Sequence, residues 1–219
     1  MNKLYLVRHG ENPANLTKEF SSRNIDYPLT PKGRLQAEQT GTYFQRKEIH
    51  EIYASSLKRA VETADIIAGH LGLETRIMDN FRELDVGDLE GYPDLEEAWR
   101  IHNRVIQTWL EGSPEAPFPG GENYYMAAGR MRDGVERILE GKKDRNIIIV
   151  GHGGIFAASV IDLCPGVDLE MLKSRENHNC SISEIDMYQR DGTWSGEVAD
   201  WADHSHLYGE AAELVSGLL

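Results

Sequence analysis

Two histidines in this sequence stand where chemistry is easiest to build. Arg8-His9-Gly10-Glu11 follows directly on the apolar run Leu4-Tyr5-Leu6-Val7. Gly151-His152-Gly153-Gly154 follows Asn146-Ile147-Ile148-Ile149-Val150 in the same way. An imidazole can serve as nucleophile, general base or metal ligand. The Arg8 guanidinium offers a fork of donors suited to phosphate or carboxylate. A third cation, Arg59, comes just after Ser55-Ser56-Leu57 and so falls in the first turn of a helix. A positive charge there opposes the helix dipole, and a side chain placed against local preference points to a use. Carboxylates come from the segment Phe81-Arg82-Glu83-Leu84-Asp85-Val86-Gly87-Asp88-Leu89-Glu90-Gly91. Most of these should be solvated; one could reach a site.

The elements that must position these groups are legible from pattern. Both apolar runs have the length and composition of buried strands. If they are parallel neighbours, both histidines lie at the carboxyl edge of one sheet, where open α/β sheets bind ligands. Glu51-Ile52-Tyr53-Ala54 and Glu74 to Met78 read as further strands, and Cys180 to Tyr188 as an edge or near-edge strand paired with Trp194 to Trp201 through a turn at Asp191-Gly192. Thr30-Pro31 begins a helix reaching about Lys47, with Thr30 as cap. Ser55-Ser56 is expected to cap the helix carrying Arg59. Helices also cover Pro93 to Leu110, Tyr124 to about Leu139, and the apolar run from Ile155. Asn12 to Asp26 reads as a polar loop in which Asn15 and Ser21 or Ser22 are candidate ligand contacts. With neither repeat nor linker, residues 1–219 are expected to form a single domain.

Composition narrows the function classes. The net charge is −13 and hydrophobic residues make up 40% of the chain, so a packed core is feasible and disorder is not expected. A strongly acidic chain is a poor general partner for nucleic acid or anionic membrane. No apolar run approaches a membrane span, and Met1-Asn2-Lys3 leads straight into a strand with no signal-peptide pattern. The two cysteines, Cys164 and Cys180, suit reduced buried thiols of a cytoplasmic protein better than a disulfide framework.

Taken together, these residues resemble the histidine phosphatase superfamily, the phosphoglycerate mutase-like fold. The resemblance covers nearly the whole chain. It rests on Leu6-Val7-Arg8-His9-Gly10-Glu11, on Ser55-x-Leu57-x-Arg59-Ala60 with Thr63-Ala64, on Arg82-Glu83-Leu84 with Gly87, on Pro119-Gly120-Gly121-Glu122, on Val150-Gly151-His152-Gly153-Gly154, and on Asn179-x-Ser181. It implies an α/β fold: a three-layer α/β/α sandwich with a mainly parallel central sheet. It implies a phosphomonoester hydrolase, acting on a small phosphorylated metabolite, in which His9 attacks phosphorus to form a phosphohistidine. Arg8, Arg59 and His152 would hold the phosphoryl oxygens, helped by Asn15, the backbone N–H of Gly153 and, more weakly, Ser21. Glu83 would protonate the leaving oxygen and then deprotonate water. Like-charge repulsion from Arg8 and Arg59 would keep His9 unprotonated. For both histidines to reach one phosphate, their rings must lie within about 8 Å.

Three other readings compete. Two histidines and a glutamate can bind zinc, but two arginines beside them would repel a cation, so no metal and no cofactor is expected. A binding module that kept the pocket without turnover would still hold phosphate. A cofactor-dependent phosphoglycerate mutase would need cations for its substrate's carboxylate. In mutases of the family a Trp-Arg-Arg run supplies them, whereas here Trp109 is followed by Leu110-Glu111. The expected partner is therefore a small phosphomonoester, with no nucleic acid and no membrane, and the protein would be a monomer or homodimer. The leaving-group wall should come from Asp88 to Tyr125, including Tyr92, Trp99, His102 and Phe118, which could bind substrate or simply pack.

Overall fold

A computed structural model describes residues 1–190 and 192–213. Its centre is a six-stranded sheet in the order β3-β2-β4-β1-β5-β6. The strands are β1 (Asn2–Arg8), β2 (Glu51–Ala54), β3 (Thr75–Ile77), β4 (Asn146–Gly151), β5 (Ile182–Arg190) and β6 (Thr193–Asp203). The first four run parallel, and β5 and β6 complete the sheet antiparallel on the far side of β1. The mainly parallel sheet expected from the sequence is thus present. The β5–β6 pairing also holds, although Asp191 of its expected turn lies outside the described residues.

Helices cover both faces, and alternate residues of the central strands divide between them. Tyr5 and Val7 of β1, with Ile148 and Val150 of β4, pack under α2 (Pro31–Phe44) and α3 (Lys58–Leu71) through Phe44, Ala60, Ala64 and Ile67. Leu4, Leu6, Ile147 and Ile149 face α5 (Tyr124–Leu139) and α6 (Gly153–Leu163) through Met131, Val135, Phe156 and Val160. Continuous apolar strands rather than alternating ones are what burial on both faces demands. α4 (Leu95–Leu110) joins the second layer through Ala98 and Trp109. Its cap is Asp94, whose side chain accepts from Glu97 N, so the helix starts two residues later than the proline suggested.

Two local expectations change. The loop after β1 contains a short helix, α1 (Pro13–Thr17), closed by a capping box between Asn12 and Asn15. Its five residues carry no apolar periodicity, so only the cap pair could have marked it. The serines before α3 do not cap it: its N-cap is Leu57, without a side-chain bond. Ser56 instead donates to Asp79, and Ser55 bonds His152.

The register of β1 on β4 sets Arg8 beside Gly151, so His9 and His152 leave the sheet side by side. The turn after His9 is braced from α2. Thr30 caps that helix by accepting from Gly33 N and also donates to Glu11 Oε1 at 2.8 Å, while Glu11 N donates to Gln36 Oε1 at 2.8 Å. The two backbones touch so closely that a Cβ on Gly33 would sit 2.1 Å from Glu11 O, and one on Gly10 would sit 2.5 Å from Gly33 O. Neither neighbour is a side chain that could swing away. Gly33→Ala should therefore cost about 3 kcal/mol or more, the upper range for overpacking, and should lower activity by moving His9. A denaturant melt checks the first effect, and unchanged stability would contradict the close approach.

Candidate active site

His9 is buried at the end of β1, with 4% of its surface exposed. Its Nδ1 lies 2.7 Å from Gly10 O, and its Nε2 lies 3.1 Å from Arg59 Nε. A carbonyl can only accept and a guanidinium can only donate. Nδ1 therefore carries the hydrogen, and Nε2 presents its lone pair to Arg59. Nε2 is therefore the ring nitrogen able to act as a nucleophile. Its partner, His152, is fully buried, and the ring centroids are 5.1 Å apart, inside the expected limit.

His152 is held through Ser55. The Ser55 hydroxyl oxygen lies 2.8 Å from His152 Nε2 and accepts from Leu57 N at 3.3 Å. A hydroxyl that accepts once keeps a second lone pair, so Ser55 can donate to His152 Nε2 or accept from it; where it donates, the hydrogen of the ring lies on Nδ1. His152 Nδ1 and Arg8 Nε are both buried without a hydrogen-bond partner among the described residues. An unsatisfied buried donor costs about 1–3 kcal/mol. Two of them at one strand edge, beside a histidine lone pair, are donors that a tetrahedral oxyanion would satisfy.

Arg59 is buried at the N-terminus of α3 and is held on both branches of its fork. Nη1 donates to Ser21 Oγ at 3.2 Å and Nη2 to Ser21 O at 2.7 Å. Ser21 thus acts on the site through Arg59. Burial pushes the Arg59 guanidinium down to about 10, against support from the Glu83 charge, so it remains a cation at neutral pH. Arg8 Nη1 donates to Asn177 O, and burial also lowers its pKa while Glu83 again opposes the shift. Asn15 Oδ1 accepts from Asn12 N at 3.0 Å and from Asn179 Nδ2 at 3.1 Å. Its carbonyl end being committed, its NH2 end is the one available to a ligand. The same Asn179 amide donates to His9 O at 3.0 Å. Gly153 lies beside Arg8: a Cβ there would sit 3.5 Å from Arg8 Nε.

Glu83 docks on the first turn of α6. Oε1 accepts from Leu84 N and Ile155 N, both at 2.8 Å, and Oε2 accepts from Gly154 N at 3.2 Å. A carboxylate has about four lone-pair positions. Three are taken, two of them on Oε1, so Oε2 is the oxygen with room to carry and pass a proton. The expected aromatic wall is mainly packing. Phe118, Trp109 and His102 are buried, His102 stacks on Phe118 at 5.2 Å, and Trp99 donates its indole N–H to Lys18 O at 2.7 Å. Burial holds His102 below the ordinary histidine pKa, with its bond to Asn103 and the Glu83 charge opposing the shift.

Both site histidines are held well below the ordinary histidine pKa. For His9 the largest cause is burial, followed by Arg59 and Arg8; for His152 it is burial, then Arg59, His9 and Arg130. Desolvation therefore outweighs the like-charge repulsion expected from the sequence. Arg130 was not visible in the motifs. Its only signal is its place on the inner face of α5, between the buried Ala127 and Met131.

A family model for the histidine phosphatase superfamily (branch 1) matches residues 4–199. A probable phosphoglycerate mutase of Salmonella choleraesuis is 33% identical over 216 residues, covering 94% of this chain and 95% of that protein. A putative phosphoserine phosphatase of Hydrogenobacter thermophilus is 33% identical over 190 residues, 85% of this chain and 90% of that one. The solved structure of YhfR from Bacillus stearothermophilus superposes with a TM-score of 0.78 at 28% identity, covering 94% of this chain and 99% of that one. The chain belongs to the histidine phosphatase superfamily.

The depressed histidines carry a stability signature. In the unfolded chain a histidine gains its proton near pH 6.5; folded His9, His152 and His206, the last lowered to about 4, do not. Below pH 6.5 the unfolded state binds more protons, so stability should fall with pH. The slope approaches about 1.4 kcal/mol per pH unit for each such histidine. Urea melts from pH 7 to pH 5 measure it. A His9→Gln variant should show a shallower slope, and an unchanged one would mean that His9 is charged when folded.

Proposed function

We propose that this chain hydrolyses small phosphomonoesters through a phosphohistidine on His9 Nε2. One observation carries the reading: the His9 lone pair opens between Arg59, Arg8 and His152, and two of those three neighbours have a buried donor without a partner. In the first half-reaction Nε2 attacks phosphorus. The bond from phosphorus to the ester oxygen breaks, and Glu83 Oε2 gives that oxygen a proton. Arg8 Nε, His152 Nδ1 and the Arg59 fork then carry the charge spread over the phosphoryl oxygens, the principal demand of phosphoryl transfer. In the second half-reaction Glu83 takes a proton from water, the oxygen attacks phosphorus, and the N–P bond breaks to return His9 and inorganic phosphate. Fixed cations supply the charge stabilisation, so the reaction is metal-independent. Among the described residues no three His, Cys, Asp or Glu side chains come together as a ligand set.

The chemistry assigns Glu83 by its leaving group. Glu83→Gln should lower kcat/KM for an alkyl ester such as glycerol phosphate by about 10²-fold or more, the usual contribution of a general acid. It should barely change kcat/KM for p-nitrophenyl phosphate, whose leaving group needs no proton. Equal losses would transfer the role to Asp85, Asp88 or Glu90. His9→Ala should abolish turnover and acid-labile phosphoenzyme together, while His152→Ala should leave a trace, about 10²–10³-fold down. Activity should survive chelators; loss restored by zinc would overturn the metal-free mechanism.

Hydrolysis is favoured over mutase chemistry, despite the name of the Salmonella relative. Where a mutase needs paired arginines for a second anionic group, this chain has Leu110 and Glu111, and Leu110 lies exposed. Inorganic phosphate release should exceed any interconversion of 2- and 3-phosphoglycerate, even with 2,3-bisphosphoglycerate present; the reverse ranking would make the protein a mutase. The name of the Hydrogenobacter relative, a putative phosphoserine phosphatase, supports a phosphorylated amino acid as the substrate. No described helix is long and apolar enough to cross a membrane. Together with two buried free thiols and a net charge of −13, this supports a cytoplasmic enzyme working on small molecules as one domain, without nucleic acid or membrane.

A further inference from the structure

We infer that Arg130 is the positioning residue for Glu83, clamping the backbone that carries the acid, with Glu122 as its counter-anchor. The inference rests on the hydrolase reading, in which Glu83 moves the proton.

Glu83 differs from the other groups of the site in what holds it. His9 and His152 follow central strands, and Arg59 sits in a helix. Glu83 lies between two short 3-10 turns, Asp79–Phe81 and Gly87–Leu89, where no regular ladder fixes the chain. A proton donor must be held to within about half an ångström to work, so something outside the segment has to supply the rigidity.

Arg130 supplies it from α5. Its Nη1 donates to Asn80 O at 2.9 Å and to Arg82 O at 2.7 Å, and its Nη2 donates to Glu83 O at 3.0 Å. The remaining two donors go to Glu122, Nε to Oε2 at 3.1 Å and Nη2 to Oε1 at 2.8 Å. A guanidinium has five N–H groups, and all five are used. Glu122 then grips the far side of the acid: its Oε1 accepts from Asp85 N, and its own N–H donates to Asp85 O, both at 2.9 Å. The chain is therefore held at Asn80, Arg82, Glu83 and Asp85. Glycines let the two loops meet. A Cβ on Gly121 would sit 2.2 Å from Asp85 O, and one on Gly87 would sit 2.2 Å from Pro119 O. The pair is buried enough to matter: side-chain exposure is 23% for Arg130 and 8% for Glu122.

Charge alone does not explain this arrangement. A lysine would place a positive charge in the same region, but its ammonium has three donors and no planar fork, so it cannot reach three carbonyls and a carboxylate together. Arg130→Lys therefore separates the clamp from the charge that His152 feels.

The test uses kcat/KM, which reports phosphorylation of His9 and departure of the leaving group, for glycerol phosphate and p-nitrophenyl phosphate on the full chain. Arg130→Lys is expected to lower the alkyl value about tenfold or more while changing the aryl value less than about threefold, a fraction of the general-acid contribution. In the double variant with Glu83→Gln, the alkyl-to-aryl ratio should fall no further than in Glu83→Gln alone, because a displaced acid and a missing acid are one defect. Glu122→Gln, which keeps its shape and loses its charge, should move the ratio in the same direction, and it decides the matter if Arg130→Lys fails to fold. Equal losses on both esters, or a further fall in the ratio of the double variant, would reduce Arg130 to a structural residue and overturn the inference alone. Wild-type protein that turns over neither ester would overturn the hydrolase reading, and this inference with it.

Discussion

The whole site depends on which nitrogen of His9 carries the hydrogen. Gly10 O takes the Nδ1 hydrogen and Arg59 Nε faces Nε2, so the ring has a single neutral tautomer with its lone pair turned toward the cations. Everything around the histidine serves that state. The β1–β4 register sets the ring beside His152. α2 holds the turn that presents the Gly10 carbonyl, and Ser21 keeps the Arg59 fork in plane. Remove the hydrogen bond to Gly10 and the ring could flip or switch tautomers, and the arginines would then flank an N–H instead of a lone pair.

The electrostatics are economical. A chain with net charge −13 repels anions at long range, so the pocket must attract them with buried charge over a short distance. The Glu83 carboxylate partly balances both Arg8 and Arg59. On the proposed hydrolase reading, an arriving phosphoryl group would compete with Glu83 for the same two cations. The acid and the substrate are thus coupled through shared counter-charges before any proton moves.

Much of this was legible in the sequence, and what was missed has a common cause. The strands of the sheet, the positions of His9, His152 and Arg59, and the Thr30 cap all announce themselves within a few residues, because burial on both faces and capping are local patterns. Ser55 looks like a cap, as any serine between strand and helix does, but it does not cap α3. Its real partner is 97 residues away. Ser21 is a candidate ligand contact by its place in the loop, and only the fold shows that it also holds Arg59, 38 residues on. Arg130 and Glu122 carry no local signal beyond an arginine on an inward helix face. Pattern reads what neighbours dictate; pairings between distant side chains appear only when the fold is in hand.

The placement of β1 has a consequence for how the molecule comes into being. This first strand lies in the interior of the sheet, between β4 and β5, and Asn2 bonds Arg145, 143 residues later. At a synthesis rate of roughly 5–20 residues per second, β1 must wait on the order of ten seconds for its parallel neighbour. During that time its apolar run has no strand to pair with. Closing so large a loop makes the β1–β4 ladder a slow and non-local event. His9 and His152 meet only when that ladder closes. The site is therefore a late product of folding, and the nascent chain carries His9 long before it carries the pocket around it.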